Sequence, residues 1–120
     1  MNMTKEELGI WGENYAATFL QEKGMTIEAR NVKFKRYEVD IIAREGKQLV
    51  IVEVKTRNTA EIGEPWRAVT RGKQRQIIAV ADHYVQTYQI ENEVRFDVIS
   101  IVHNSYRTHL EHIPDAFQTV

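Results

Sequence analysis

The stretch from Val39 to Arg57, VDIIAREGKQLVIVEVKTR, sets Asp40, Glu53 and Lys55 among apolar residues. Burying such charges is costly unless something pairs with them. Two hydrophobic runs flank a glycine-containing turn, which predicts a β-hairpin. With Gly46 and Lys47 as the central residues of a tight type II′ turn, Glu45 faces Gln48, Asp40 falls opposite Glu53, and Glu38 falls opposite Lys55. Facing residues project from the same side of a sheet. Alternation then predicts Glu38, Asp40, Glu53 and Lys55 on one face and Val39, Ile41, Val52 and Val54 on the other. Two opposed carboxylates roughly 5 Å apart at Cβ repel one another. A shared proton would offset this, and so would a hard divalent cation, Mg²⁺ or Mn²⁺, which favours carboxylate and water oxygens. Lys55 would then stand beside the cation, where an ammonium can orient a water or stabilise a charged phosphate. The same pattern also describes a solvated sheet face on which Glu38 and Lys55 form a cross-strand pair.

The elements that must position these groups are readable around them. Thr4 and Glu7 have capping-box spacing, and Leu8, Trp11, Gly12, Tyr15, Ala16 and Phe19 recur at helical spacing up to a stop at Gly24. MTIEARNV reads as a short strand, YEVDIIA and QLVIVEVKTR as longer ones, the last apolar enough to be central. Pro65 is placed to open a second helix at its first turn, with an apolar stripe of Ile77, Ala81, Tyr84, Val85 and Tyr88. VRFDVISIV reads as a strand that could return parallel to the sheet by a crossover, and THLEHI as a weak edge strand. This order, helix, three strands, helix, then one or two strands, predicts an α/β protein with a mixed sheet flanked by helices, as one domain spanning residues 1–120.

Composition narrows the class. The 120 residues contain no cysteine, which excludes disulfides and thiolate metal sites. No stretch approaches the ~20 apolar residues of a membrane span, and the polar, acidic start does not read as a signal peptide, so a cytoplasmic protein is expected. The net charge of −1 does not announce a nucleic-acid binder, but the charge is unevenly distributed. Arg67, Arg71, Lys73 and Arg75 fall in an acid-free run, and Arg30, Lys33, Lys35 and Arg36 in another. Either run could make a local anion-binding face or a solvated surface. Lys73 lies on the stripe side of its helix near the N-terminus, where anions are attracted, which makes it a candidate phosphate contact shared with Gln74. Arg71 and Arg75 face outward, where they could hold a nucleic-acid backbone. Spacing puts Glu13 at the edge of the first helix's stripe, within reach of a site or in solvent. Asp97 reads as a strand-end structural residue. The four histidines form no convincing metal constellation, and Trp11, Tyr15 and Phe19 read as core.

Asp40, followed after a dozen residues by Glu53-Val54-Lys55, resembles the PD-(D/E)xK nuclease signature. The blocks GIWGENYAATFLQEKG, ARN, EVDIIA, LVIVEVKTR, IGEPWRAV, Lys73 and RFDVI resemble those of the YraN-type family over nearly the whole chain. That family is regarded as predicted endonucleases related to archaeal Holliday-junction resolvases. The resemblance implies a restriction-endonuclease-like αβββαβ core and a metal-dependent endonuclease acting on DNA, branched or otherwise structured. It implies Asp40 and Glu53 as ligands of Mg²⁺ or Mn²⁺, with the Val54 carbonyl as a further oxygen, Lys55 near the attacking water, and Glu13 beside the site. Arg36, Arg57, Arg67, Arg71, Lys73 and Gln74 are the expected nucleic-acid contacts, and a homodimer is implied by the relatives alone. Tyr37 departs from the family, which usually has Gly before Glu-x-Asp, and this bears on the shape of the substrate channel. The other reading is a nucleic-acid-binding or assembly module that keeps the fold without turning over substrate.

Overall fold

The computed structural model of the chain describes residues 2–59 and 69–119. A helix, α1 (Lys5–Glu22), is followed by three strands, β1 (Thr26–Phe34), β2 (Tyr37–Glu45) and β3 (Gln48–Arg57). A second helix, α2 (Arg71–Thr87), leads to β4 (Val94–His103) and β5 (Thr108–Phe117). The five strands lie side by side in chain order; β3 and β4 are parallel and every other pair is antiparallel. This is the α/β, restriction-endonuclease-like arrangement, with a mixed sheet and a helix on each face.

The capping box of α1 forms as expected: Thr4 Oγ1 accepts from Glu7 N at 3.0 Å, and Glu7 Oε1 accepts from Thr4 N at 2.8 Å. Gly24, at φ +97°, takes the chain out of the helix. The start of α2 differs from expectation. Thr70 caps it, its hydroxyl accepting from Lys73 N, while Pro65 lies outside the described residues. The β5 segment is no weak fragment but a ten-residue edge strand. It holds Pro114, which an edge tolerates because the missing N–H costs no ladder bond.

Two cores result, one per face. Under α1, Ala16, Ala17 and Leu20 pack on Ile41, Ala43, Val50, Val52, Ile99 and Ile101. Under α2, Ile77, Val80 and Tyr84 pack on Ile42, Leu49, Ile51, Phe96 and Val98. Strand β3 is buried on both sides, which explains its nearly unbroken apolar run. The expected stripes need two corrections: Tyr15 is 41% exposed on α1, and Tyr88, the residue that caps the end of α2, is 65% exposed. The hairpin register is the one expected, from Glu45↔Gln48 to Ile41↔Val52. Gly46 has φ +57° while Lys47 does not have positive φ, as a type II′ turn requires.

Candidate functional site

The site lies where regular pairing between β2 and β3 stops, just beyond Ile41↔Val52. Val54 N, one residue past Glu53, donates to the Asp40 carboxylate at 2.8 Å, where a ladder would supply a backbone carbonyl. In a strand the N–H and C=O of one residue face the same neighbour. The Val54 carbonyl therefore also faces this gap, on the Asp40 side. The two-face alternation expected for β2 breaks here: Ile41 lies in the α1-side core, but Val39 joins Ile42 in the α2-side core. Glu38 and Asp40 line the α1-side cleft with Val54 and Thr56, so the single face expected for Glu38, Asp40, Glu53 and Lys55 is not formed. Asp40 sits at this change of face, and Asn31, opposite it on β1, has φ +52°. Asn tolerates that left-handed conformation better than most residues.

Asp40 and Glu53 are neighbours close enough for one carboxyl to hydrogen-bond the other. Glu53 is 8% exposed, and its Oε1 is buried without a hydrogen-bond partner. Burial first, then the Asp40 charge, push the Glu53 carboxyl up to about 8, against the pull of Lys73 and Lys55. Burial likewise raises Asp40, aided by the charge on Glu13 and opposed by bonds from Val54 N and Glu53. Burial and mutual repulsion thus favour a proton retained by the pair.

Three further groups surround the pair. Lys73, from the first turn of α2, places Nζ 3.6 Å from Glu53 Oε2. Lys55 is exposed on β3, close enough to stabilise the Glu53 anion. Among the described residues the ion pairs at this end of the sheet are Arg30–Glu13 and Lys73–Glu53, so the cross-strand Glu38–Lys55 pair does not form. Glu13 reaches the site's edge from α1 and is held on both oxygens: Arg30 Nε donates to Oε1 at 3.1 Å and Asn31 Nδ2 to Oε2 at 3.0 Å. Glu13, Asn31, Glu38, Asp40, Val54 and Thr56 line one open cleft. The close approach of α1 to this cleft depends on Gly12, whose absent Cβ would lie 1.8 Å from Thr56 Oγ1.

The other expected residues divide. Arg71 is exposed at the start of α2, Arg36 is exposed at the β1–β2 turn, and Arg57 is half-buried at the end of β3. Arg67 lies outside the described residues. Gln74 Nε2 donates to the Val69 carbonyl at 3.3 Å, which ties it to the helix entry. Arg30 also donates to Asn14 Oδ1 at 2.8 Å, so it positions Glu13 and does not belong with the outward-facing basic residues. Tyr37 packs half-buried against the α2-side core. Asp97 belongs to a different place: fully buried, it accepts from Arg95 Nε and Nη2 at 2.9 Å, from Asp115 N at 3.0 Å, and pairs with His112 Nε2 at 2.7 Å. Burial would raise its pKa, but the bonds from His112, Arg95 and Asp115 outweigh this and hold it below the usual carboxylate range. Sequence patterning does not single out Asn31 or Thr56. ARN, coming in the midst of a strand, is the available signal for the first, and Gly12 inside a helix for the second.

Among the described residues no three His, Asp or Glu side chains converge as a metal cage. The donor set available to a cation is two carboxylates and the Val54 carbonyl. The orphaned Glu53 Oε1 fits that use, since it is a buried oxygen lacking a donor.

Fold and site together define an α/β protein of restriction-endonuclease-like architecture with an acidic pair at a break in its sheet. Residues 12–101 match Uncharacterised protein family UPF0102, and the chain belongs to that family, the YraN family. It is 43% identical to a UPF0102 protein of Chlorobium phaeobacteroides (strain BS1), covering 99% of this chain and 100% of that protein. It is 42% identical to a UPF0102 protein of Christiangramia forsetii, covering 92% of this chain and 93% of that one. A UPF0102 protein of Chlorobium chlorochromatii is 44% identical, at 92% and 91% coverage.

Proposed function

We propose that the protein is a metal-dependent endonuclease that hydrolyses phosphodiester bonds in DNA. The observation that carries this reading is the juxtaposition of Asp40 and Glu53 with a buried, unpartnered oxygen between α2 and the break in the sheet. Such a pair is costly without a ligand. Asp40, Glu53 and the Val54 carbonyl would hold Mg²⁺ or Mn²⁺, which supplies a bound water of lowered pKa and neutralises charge building on the scissile phosphate. The chain's own residues do the rest. Glu53 must give up its proton for both carboxylates to act as ligands. Lys55, exposed and on the same strand, directs its ammonium to the attacking water or a phosphate oxygen. Lys73 leaves Glu53 for the phosphate, and the positive end of α2 adds to its pull. Glu13, locked by Arg30 and Asn31, contributes a fixed negative charge at the cleft edge that can orient a water. Arg71, Arg57 and Arg36 grip backbone phosphates without reading sequence.

A second reading has one observation in its favour: Glu13 is fully engaged by Arg30 and Asn31, so the acidic cluster stops at two. On that reading the chain binds nucleic acid, or assembles with a partner, without cutting. Labelled DNA incubated with Mg²⁺ or Mn²⁺ separates the two. The nuclease reading expects cleavage by wild type, none with chelator, and none by Glu53→Ala. Binding without any metal-dependent cleavage would leave the second reading in its place.

A further inference from the structure

On the far flank of α1 from Glu13 lies a column of three rings. Gly12 sits over Thr56 of β3, so its two sequence neighbours diverge: Glu13 toward β1, Trp11 toward β4. The Trp11 ring stacks on His103 with centroids 3.5 Å apart and planes 10° from parallel, and on Tyr15 at 4.9 Å and 16°. His103 is fixed by a 2.6 Å bond between Nδ1 and Thr108 Oγ1. Tyr15 ends the column and is 41% exposed. The adjoining β4–β5 turn is held just as firmly. Asn104 Oδ1 accepts from Tyr106 N at 2.8 Å and Arg107 N at 3.2 Å, and Asn104 Nδ2 donates to the Asn58 carbonyl at the end of β3. This rigid turn presents Tyr106 at 95% exposure.

We infer that this flank is a stacking platform for unpaired bases, so the preferred substrate carries single-stranded nucleic acid next to the cleavage site. Three near-parallel rings, of which the outermost, Tyr15, is half-exposed, offer a flat π face, whereas apolar core packing would bury that ring. A nucleobase has the flat partner face that extends such a column, whatever its identity. Arg107 beside Tyr106, and Arg57 on the strand next to β4, supply cations for the phosphates of the same strand. One helix diameter, about 10 Å, separates the column from the acidic cleft on the other flank. The inference rests on the nucleic-acid reading above and narrows its substrate.

Fluorescence anisotropy in chelator, with a labelled oligothymidylate about twelve nucleotides long and a blunt duplex of similar length, tests it. Tyr15→Ala should weaken single-strand binding roughly tenfold and duplex binding by less than about twofold, and Tyr15→Phe should bind as wild type. Tyr106→Ala should show the same selective loss. Because both tyrosines are exposed, their variants fold, which a thermal melt checks. Equal loss on both probes, or none on the single strand, overturns the platform and leaves the nuclease reading standing. If wild type binds neither probe, the nucleic-acid reading falls and the platform with it. Selective single-strand loss without metal-dependent cleavage by wild type keeps the platform and removes only the nuclease.

Discussion

At the scale of single residues, the acidic pair works against the stability of the metal-free protein. Folded Glu53 keeps its proton to about pH 8, whereas an ordinary glutamate releases it near 4.5. Between those values the folded state binds the extra proton, so stability falls as pH rises through the window. The size is on the order of a few kcal/mol, because each tenfold tightening of a carboxyl's hold on its proton corresponds to about 1.4 kcal/mol and the pair shares that proton. Thermal unfolding in chelator should therefore show wild type losing stability from about pH 5 to about pH 8, with Glu53→Gln changing far less and overtaking it at the alkaline end. A difference between the two proteins that stays constant across that range speaks against a proton held at Glu53. Metal binding must expel that proton, so cation affinity should rise with pH over the same window.

Secondary-structure elements bring these groups together through one close contact. Helix α1 rests on β3 at Gly12, where a methyl group would meet Thr56 Oγ1, Cβ and Cγ2 at 1.8, 2.7 and 2.9 Å. Gly12→Ala should lower stability by about 1–3 kcal/mol, despite alanine's better helix propensity, because α1 must lift off the sheet. Adding Thr56→Ala should recover part of the loss, since it removes the Oγ1 and Cγ2 contacts and a buried hydroxyl that has no partner, while the Cβ contact stays. Denaturant melts of the two single variants and the double variant check this, and purely additive losses would mean that the contact does not set the helix position. Most of this architecture is legible in the chain. The capping box, the turn at Gly46–Lys47 and the apolar β3 are local signals, and they specify α1, the hairpin register and the central strand. What stays illegible is non-local. The side switch of Val39 follows from the break in pairing at Asp40 and the left-handed Asn31, which no period of two records. The start of α2 at Thr70 is hidden behind the stronger signal of Pro65. Arg30 looks like one more basic residue because its partner, Glu13, lies on another element. Likewise, β5 gains its length from pairing with β4 and from Asp97 accepting Asp115 N, neither visible in THLEHI alone.

Across the whole molecule, a chain of net charge −1 must concentrate its cations to hold a polyanion. Arg71 and Lys73 stand at the positive end of α2, Lys73 beside Glu53, and Arg36 at the β1–β2 turn. Arg71→Ala and Lys73→Ala should each weaken binding to all duplex sequences alike and flatten the dependence of log K on log salt by about 0.9. Unchanged slopes in both variants would mean that this end of α2 faces something other than DNA. No helix among the described residues is long and apolar enough to cross a membrane. The central claim is that Asp40 and Glu53 are kept together to hold a cation, and thermal unfolding with chelator or with millimolar Mn²⁺ tests it most directly. In chelator at about pH 8, where Glu53 gives up its proton, Glu53→Gln should match or exceed wild type, by roughly 0.2–1 kcal/mol. Mn²⁺ at about a hundredfold excess over its dissociation constant should stabilise wild type by about 2.7 kcal/mol and Glu53→Gln far less. The contradicting result is a Glu53→Gln protein weaker than wild type by about 1–3 kcal/mol in chelator, as expected when a paired structural carboxylate is lost, with Mn²⁺ moving neither protein.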